Sequence, residues 1–262
     1  MRDDQGTFIT VDGPPRRVVS LVPSLTEAIA VSAPGILIGA TEWCTHPADL
    51  DVPRFGGTKN PDVEGVTAAA PDLVVMNEEE NKPEHVAALR EAGVAVWVTD
   101  IRTVAQALTS LRRLLEALEA PERDWLADAE SAWGGAALVE KRRRTALVPI
   151  WRRPWMALGR DTYAGDVLAR LGVDNVLAQT PERYPRVDPG ELAGRVDLVV
   201  LPDEPYPFTG DDGPEAFPGL PCALVSGRHL TWYGPAMVEA PRVLADAILA
   251  AVAPSCGGRS DH

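Results

Sequence analysis

Four side chains in this 262-residue chain stand out as candidates to hold a metal ion or move a proton: Cys44, His46, Glu80 and His229. Thiolate, imidazole and carboxylate groups are all zinc-type ligands. A Cys44–His46 or His46–Glu80 pair would also supply a nucleophile or an acid with its base. The spacing does not make a ready site. Cys44 and His46 alone are not a zinc motif. The sequence contains no GxSxG, no phosphate loop, no HExxH and no GxGxxG after a strand. Gly56-Gly57-Thr58-Lys59 has the composition of a phosphate loop without its spacing. His85 falls in a helical run and is expected at the surface. A metal-dependent enzyme or cytosolic metal-handling protein using the Cys44, His46, Glu80 and His229 set is therefore the second reading.

Ring surface is the more unusual resource. Of seven tryptophans, Trp43, Trp151, Trp155 and Trp232 fall in loops, where large apolar rings are seldom placed because they prefer burial. Tyr184, Tyr206, Phe208 and Tyr233 share those loops, and so do the polar residues Ser24, Glu79, Glu80, Asn81 and Glu204. Arg152 and Arg228 are placed to meet carboxylates or a phosphate on a ligand's rim. If the loops of the chain's two halves face each other, these residues line one cleft. Trp97, Trp125 and Trp133 are assigned to packing, and Glu78 to a solvated loop.

The elements that must position these loops are short strands alternating with helices, the pattern of parallel sheets. Strands are expected over Arg17 to Val22, Ile36 to Ala40, Arg54-Phe55, Asp72 to Met76 and Val94 to Thr99. Later ones are expected over Thr145 to Ile150, Asn175 to Leu177, Val196 to Leu201 and Cys222 to Val225. Ser24 with Glu27 reads as a capping box opening the first helix. Other helices are expected from Asp62 to Ala69, from Pro83 to Ala92, near Asp161-Thr162, at Asp188-Pro189, and from Pro235 to Val252 with a kink at Pro241. Residues 254–262 read as a polar tail. Ligands of open parallel sheets sit outside the carboxyl ends of the strands, and the aromatic and polar residues named above fall at those ends.

The two flanks of the chain resemble each other. Leu21-Val22-Pro23 returns as Leu147-Val148-Pro149, Asp72-Leu73-Val74-Val75 as Asp197-Leu198-Val199-Val200, Asp62 as Asp188, and Val98-Thr99 as Val225-Ser226. The offsets are 126, 125, 126 and 127. Between the flanks, Thr103 caps a run with Val104, Leu108, Leu111 and Leu115 at helical spacing. Pro121 breaks it, and Glu122 to Arg144 reads as a long charged helix weakened at Gly134 and Gly135. The expected organisation is an N-terminal α/β lobe over 1–102, a helical connector over 103–144 and a C-terminal α/β lobe over 145–262, with the two lobes' loops facing one cleft.

A net charge of −13 argues against a nucleic-acid partner. No run reaches the ~20 apolar residues of a membrane span. Residues 1–7 have no apolar stretch, so the sequence as given reads as cytoplasmic, or extracytoplasmic if a leader has been removed. Cys44, Cys222 and Cys256 offer no disulfide framework.

Arg17-Val18-Val19-Ser20-Leu21-Val22-Pro23-Ser24-Leu25-Thr26-Glu27, Gly56-Gly57-Thr58-Lys59-Asn60-Pro61 and Pro71-Asp72-Leu73-Val74-Val75 resemble the cobalamin and iron-siderophore substrate-binding proteins of ABC importers, the helical-backbone metal receptors. Trp151-Arg152-Arg153-Pro154-Trp155-Met156, Glu204-Pro205-Tyr206-Pro207-Phe208 and Trp232-Tyr233-Gly234 are similar to the vitamin B12-binding subgroup. The resemblance implies a class III periplasmic-binding-protein-like fold of two lobes on one connecting helix. It also implies a monomeric, non-enzymatic receptor without an intrinsic cofactor and with limited hinge motion. The expected ligand is a corrinoid or related metal chelate (cobalamin, haem or a ferric siderophore), with His46 or His229 as an optional axial ligand. The family docks on its ABC permease through one acidic residue per lobe. The first-lobe match is Glu64; in the second lobe the offset lands on Gly190, with Glu191 beside it.

Overall fold

The computed structural model describes residues 1–121, 123–135 and 143–251. The chain runs β1 (Val18–Ser20), α1 (Pro23–Ser32), β2 (Leu37–Ala40), α2 (Val63–Ala68), β3 (Leu73–Asn77), α3 (Pro83–Glu91), β4 (Val96–Thr99), α4 (Val104–Ala117) and α5 (Asp124–Gly134). It continues β5 (Arg144–Leu147), β6 (Pro149–Trp151), β7 (Met156–Ala157), α6 (Tyr163–Arg170), β8 (Val173–Asn175), α7 (Pro189–Leu192), β9 (Leu198–Pro202), β10 (Cys222–Val225), α8 (Gly227–Thr231) and α9 (Ala240–Leu249). It forms two compact units. One comprises Met1–Ile101, Ala105–Glu130 and Tyr233–Pro235; the other comprises Arg102–Val104, Ser131–Trp232 and Ala236–His262.

Each unit is built on a parallel four-stranded sheet, and the two sheets share one strand order. The first reads β2-β1-β3-β4; the second, from its other edge, reads β8-β5-β9-β10. The repeated aspartates explain part of this. Asp72 N–H donates to Arg17 O at 2.8 Å, and its carboxylate accepts from the Arg16 and Arg17 N–H groups. Asp197 N–H donates to Thr145 O at 2.8 Å, and its carboxylate accepts from Thr145 N–H. In both units an aspartate ties the start of the third strand to the central one. The strand match differs from the sequence match by two residues: Leu147 pairs with Val199 as Val19 pairs with Val74. The likeness of Leu21-Val22-Pro23 to Leu147-Val148-Pro149 is thus out of structural register, while the duplication of topology holds.

Val19, Leu21, Val74, Met76, Leu89 and Val98 fill the first core; Leu147, Val199, Leu201, Phe208 and Phe217 fill the second. Full burial of such side chains stabilises by about 1.5–3 kcal/mol each. Trp97 is buried, Trp125 Nε1–H donates to Ser32 Oγ at 2.8 Å, and Trp133 Nε1–H donates to Met237 O at 3.0 Å. All three serve packing.

Four local expectations are corrected. The capping box does not form: Pro23 opens α1, Val22 occupies the cap position without a side-chain bond, and Ser24 lies inside the first turn. Proline at this position has no N–H to satisfy, so the helix starts two residues early. The strand expected over Thr145 to Ile150 divides after Leu147, and Pro149 begins β6, which pairs antiparallel with β7. Proline cannot donate to a continuing ladder. The helix expected from Glu122 to Arg144 is α5, and Arg144 opens β5; Glu122 and residues 136–142 lie outside the described residues. The last helix is divided at Glu239 into a 3-10 turn, Pro235–Val238, and α9, whose first turn holds Pro241. Residues 252–262, with Cys256 and the expected tail, lie outside the described residues.

Two glycines test this packing. A Cβ on Gly39 would strike the Phe55 ring and approach Val19 Cγ2 at 3.3 Å, whereas exposed Gly134 in α5 has open space around it. Gly39→Ala is expected to destabilise by about 1–3 kcal/mol through overpacking. Gly134→Ala is expected to stabilise by up to about 1 kcal/mol through reduced unfolded-state entropy. Urea denaturation midpoints check both.

Candidate functional site

In the first unit the loops leave β2 and β3 at their carboxyl ends. Trp43 is 64% exposed, and its Nε1 lies beside Gly57. Cys44, only 1% exposed, sits between the Thr26 and Thr41 hydroxyls with both Oγ1 atoms at 3.1 Å. It is a packed, hydroxyl-caged thiol. Half-buried His46 has Nδ1 3.1 Å from Thr45 Oγ1. The loop after β3 is fastened by two asparagines. Asn77 Oδ1 accepts from the Glu79 and Glu80 N–H groups, and Asn81 Nδ2 donates to Leu21 O at 3.1 Å and Thr58 O at 2.9 Å. Asn81 is buried and acts as a lock. Lys59 Nζ donates to Glu79 O. Burial pushes the Glu80 carboxyl above its ordinary value, and the Lys59 ammonium partly offsets that. Ser24 and Tyr233 are buried in the same unit, and Gly234 leaves room for close approach to Ser24 O.

In the second unit one layered aromatic wall gathers four expected residues. Trp151, 43% exposed, meets Tyr206 edge-on at 5.8 Å. Tyr206 leans on Phe208 at 4.7 Å, and Phe208 stacks on Trp155 at 5.9 Å with 6° between planes. Phe217, fully buried, closes the layer edge-on to Trp155 at 5.6 Å. Phe208 is 3% exposed and belongs to the core; Trp151 is the exposed ring of the wall, and Trp155 and Tyr206 are half-buried. The Arg152 guanidinium lies 5.1 Å from the Trp155 centroid and bonds to both Asp212 and Glu215. Asp212 Oδ2 also accepts from Tyr206 Oη–H at 2.6 Å.

The remaining residues form a second group. His229 uses both ring nitrogens, with Nδ1 2.8 Å from Ser226 Oγ and Nε2 3.0 Å from Glu239 Oε1. The His229 hydrogen bond holds the Glu239 carboxyl below its usual range. Arg228 sits 5.8 Å from the Trp232 centroid and 4.0 Å from Glu239. Glu204 packs over Gly227, whose N–H donates to Asp203 at 2.6 Å. Tyr184 is half-buried in the segment held against β7 by the Ala157 N–H to Pro185 O bond. Glu64 and Glu191 are exposed in the first turns of α2 and α7, helices capped by Asp62 and Asp188.

Cys44, His46 and Glu80 belong to the first unit and His229 to the second. Among the described residues no three His, Cys, Asp or Glu side chains come together to hold an ion. Cys44 and His229 already have their polar atoms engaged. Sequence reasoning missed Asp212, Glu215 and Phe217, which hold the wall. Their only signal is position, a short acidic and aromatic run following Phe208.

Glu80 gives the direct test of the first unit's loop. A carboxyl with a raised folded value binds its proton more tightly folded than unfolded, so its ionisation weakens the fold at neutral pH. Glu80→Gln is expected to be more stable than the parent at neutral pH. The advantage should vanish once the pH falls below the ordinary carboxylate range, where both states are protonated. Thermal melts across pH check this; an advantage that persists in acid would point to packing rather than charge.

Residues 18–197 match the family described as periplasmic binding protein. The vitamin B12-binding protein of Vibrio campbellii is 26% identical over 198 residues, covering 72% of this chain and 71% of its own length. That of Salmonella typhimurium is 25% identical over 190 residues, covering 71% of each. Among solved structures, the periplasmic vitamin B12 binding protein of Vibrio cholerae superposes with a TM-score of 0.72 at 16% identity, over 90% of this chain and 97% of that one. The periplasmic heme-binding protein of Roseiflexus gives 0.73 at 21% identity, over 89% and 99%. The nickel-bound CeuE protein of Helicobacter pylori gives 0.79 at 16% identity, over 95% and 87%. These structural likenesses fix the fold as that of a class III periplasmic binding protein, and the family match over most of the sequence carries the conclusion: the chain belongs to the periplasmic binding protein family.

Proposed function

We propose that this chain is the substrate-binding protein of an ABC importer and holds a corrinoid or related metal chelate. The observation that carries this reading is the exposure of two indoles, Trp43 in the loop after β2 at 64% and Trp151 at the end of β6 at 43%. Relatives named for vitamin B12 and structural neighbours named for heme support a flat, ring-shaped ligand. The ligand acts as cargo, and the contacts come from the carboxyl-end loops of each lobe. Burying the two indoles contributes about 1.5–3 kcal/mol each. Micromolar affinity needs about 8 kcal/mol after association costs. Polar contacts from residues such as His46, Glu80 and Trp232 Nε1–H must supply the difference.

Glu64 and Glu191 serve as docking carboxylates for the permease. They occupy exposed first turns of helices that precede equivalent strands, β3 and β9. The receptor works as a monomer outside the cytoplasmic membrane and catalyses no reaction. Among the described residues no helix is long and apolar enough to cross a membrane.

Tryptophan-fluorescence titration with dicyanocobinamide, cyanocobalamin, haemin and a ferric siderophore tests the reading. At least one should bind at micromolar concentration or tighter. Trp43→Ala and Trp151→Ala should each weaken that binding by about tenfold or more, with melting temperatures within a few degrees of the parent. Phe217→Ala should instead cost about 3–5 kcal/mol of stability. Failure of all four chelates to bind would sink the proposal.

A further inference from the structure

The polar side of the aromatic wall has a definite charge. Arg152 is 16% exposed, with its guanidinium against the Trp155 ring and its ends bonded to Asp212 and Glu215. Asp212 spends its second oxygen on the Tyr206 hydroxyl, and Glu215 accepts from Gly213 N–H at 2.6 Å. Burial pushes Glu215 up, but the Gly213 N–H and Arg152 outweigh it and hold the carboxyl below its usual range. Two carboxylates on one guanidinium leave a net negative charge. Exposed Arg153 at the adjacent hairpin turn and exposed Arg186, bridged to Met156, carry positive charge and exposed Asp211 a negative one, so the excess negative charge is local to the Arg152–Asp212–Glu215 cluster beside Tyr206. Arg228, the unit's other candidate for an anionic ligand, faces Glu239 and Trp232.

An ionised carboxylate on a ligand rim would therefore meet like charge beside Trp151 and Tyr206. Recruiting Arg152 would require breaking a charge-assisted bond and stranding Asp212 or Glu215, which costs more than a neutral hydrogen bond. An amide N–H has the opposite experience. The Asp212 and Glu215 side chains are 42% and 49% exposed, so their outer lone pairs remain open to donors.

We propose that Asp212 and Glu215, by occupying Arg152, make this wall select chelates whose rim carries amides or other uncharged donors over chelates whose rim carries ionised carboxylates. The inference rests on the chelate-receptor reading above and names the ligand chemistry of that same site.

The test uses one macrocycle in two charge states, iron protoporphyrin IX and its dimethyl ester, with dicyanocobinamide as the amide-rimmed probe. Affinities are read by tryptophan quenching in the full chain. The ester should bind about fivefold or more tighter than the dicarboxylate, and raising salt from about 0.05 M to about 0.5 M should strengthen dicarboxylate binding by screening repulsion. In D212N/E215Q the ester-to-acid ratio should fall towards one. A dicarboxylate that binds as tightly as its ester, or whose affinity falls with salt, overturns the charge inference while the receptor reading stands. An unchanged ratio in D212N/E215Q, with near-ultraviolet circular dichroism showing the aromatic stack intact, also overturns it. If none of the three probes binds below millimolar concentration, the receptor reading falls and takes this inference with it.

Discussion

Parallel pairing around a central strand is the constraint on which everything else in this molecule depends. β1 and β5 each lie between two parallel neighbours, so every strand of a sheet ends at the same edge. Asp72 and Asp197 fix the register by bonding back onto the central strand. Once that register is set, the loops carrying Trp43, Asn81 and Glu204 and the β6–β7 hairpin carrying Trp151 have no choice of edge. The chemistry of the site then follows from what those loops contain. The buried strands carry Val and Leu and leave little polar surface of their own.

The loops are held by short polar devices rather than by length. Asn77 and Asn81 close the turn after β3 through their side-chain amides. Asn175, at the end of β8, accepts from Leu177 N–H at 3.0 Å and ties down the segment after β7 by donating to Leu158 O and Gly159 O at 2.9 Å. In the second unit, Asp212, Glu215 and Arg152 fix the aromatic layer from one side while Phe217 packs it from the other. Rings held this way lose little freedom when a ligand covers them, which lowers the entropic cost of binding.

Much of this was legible in the sequence. Alternation of apolar strands with short helices fixes a parallel sheet, and the recurrence of Asp-Leu-Val-Val marks the duplication because the aspartate has the same structural task twice. The tryptophan loops were legible because exposed indoles are costly. What stayed hidden depends on three-dimensional partners. Pro149 was expected to continue a strand, yet it starts a hairpin. Ser24 looked like a cap, yet Pro23 beside it opens the helix. Arg152 looked available to a ligand, and only the fold brings Asp212 and Glu215 to it from about sixty residues away. Cys44 is a candidate ligand or nucleophile by residue type, and only the fold shows it enclosed by Thr26 and Thr41.

The central proposal is that the carboxyl-edge loops of each sheet carry the ligand contacts. Hydrogen–deuterium exchange on the full chain with and without saturating dicyanocobinamide tests it most directly. The account predicts new protection in the peptides holding residues 41–47, 77–81, 151–156 and 203–209. Protection confined instead to the opposite edges, in the peptides around Ala70, Gly93, Gly172 and Gly219, would contradict it.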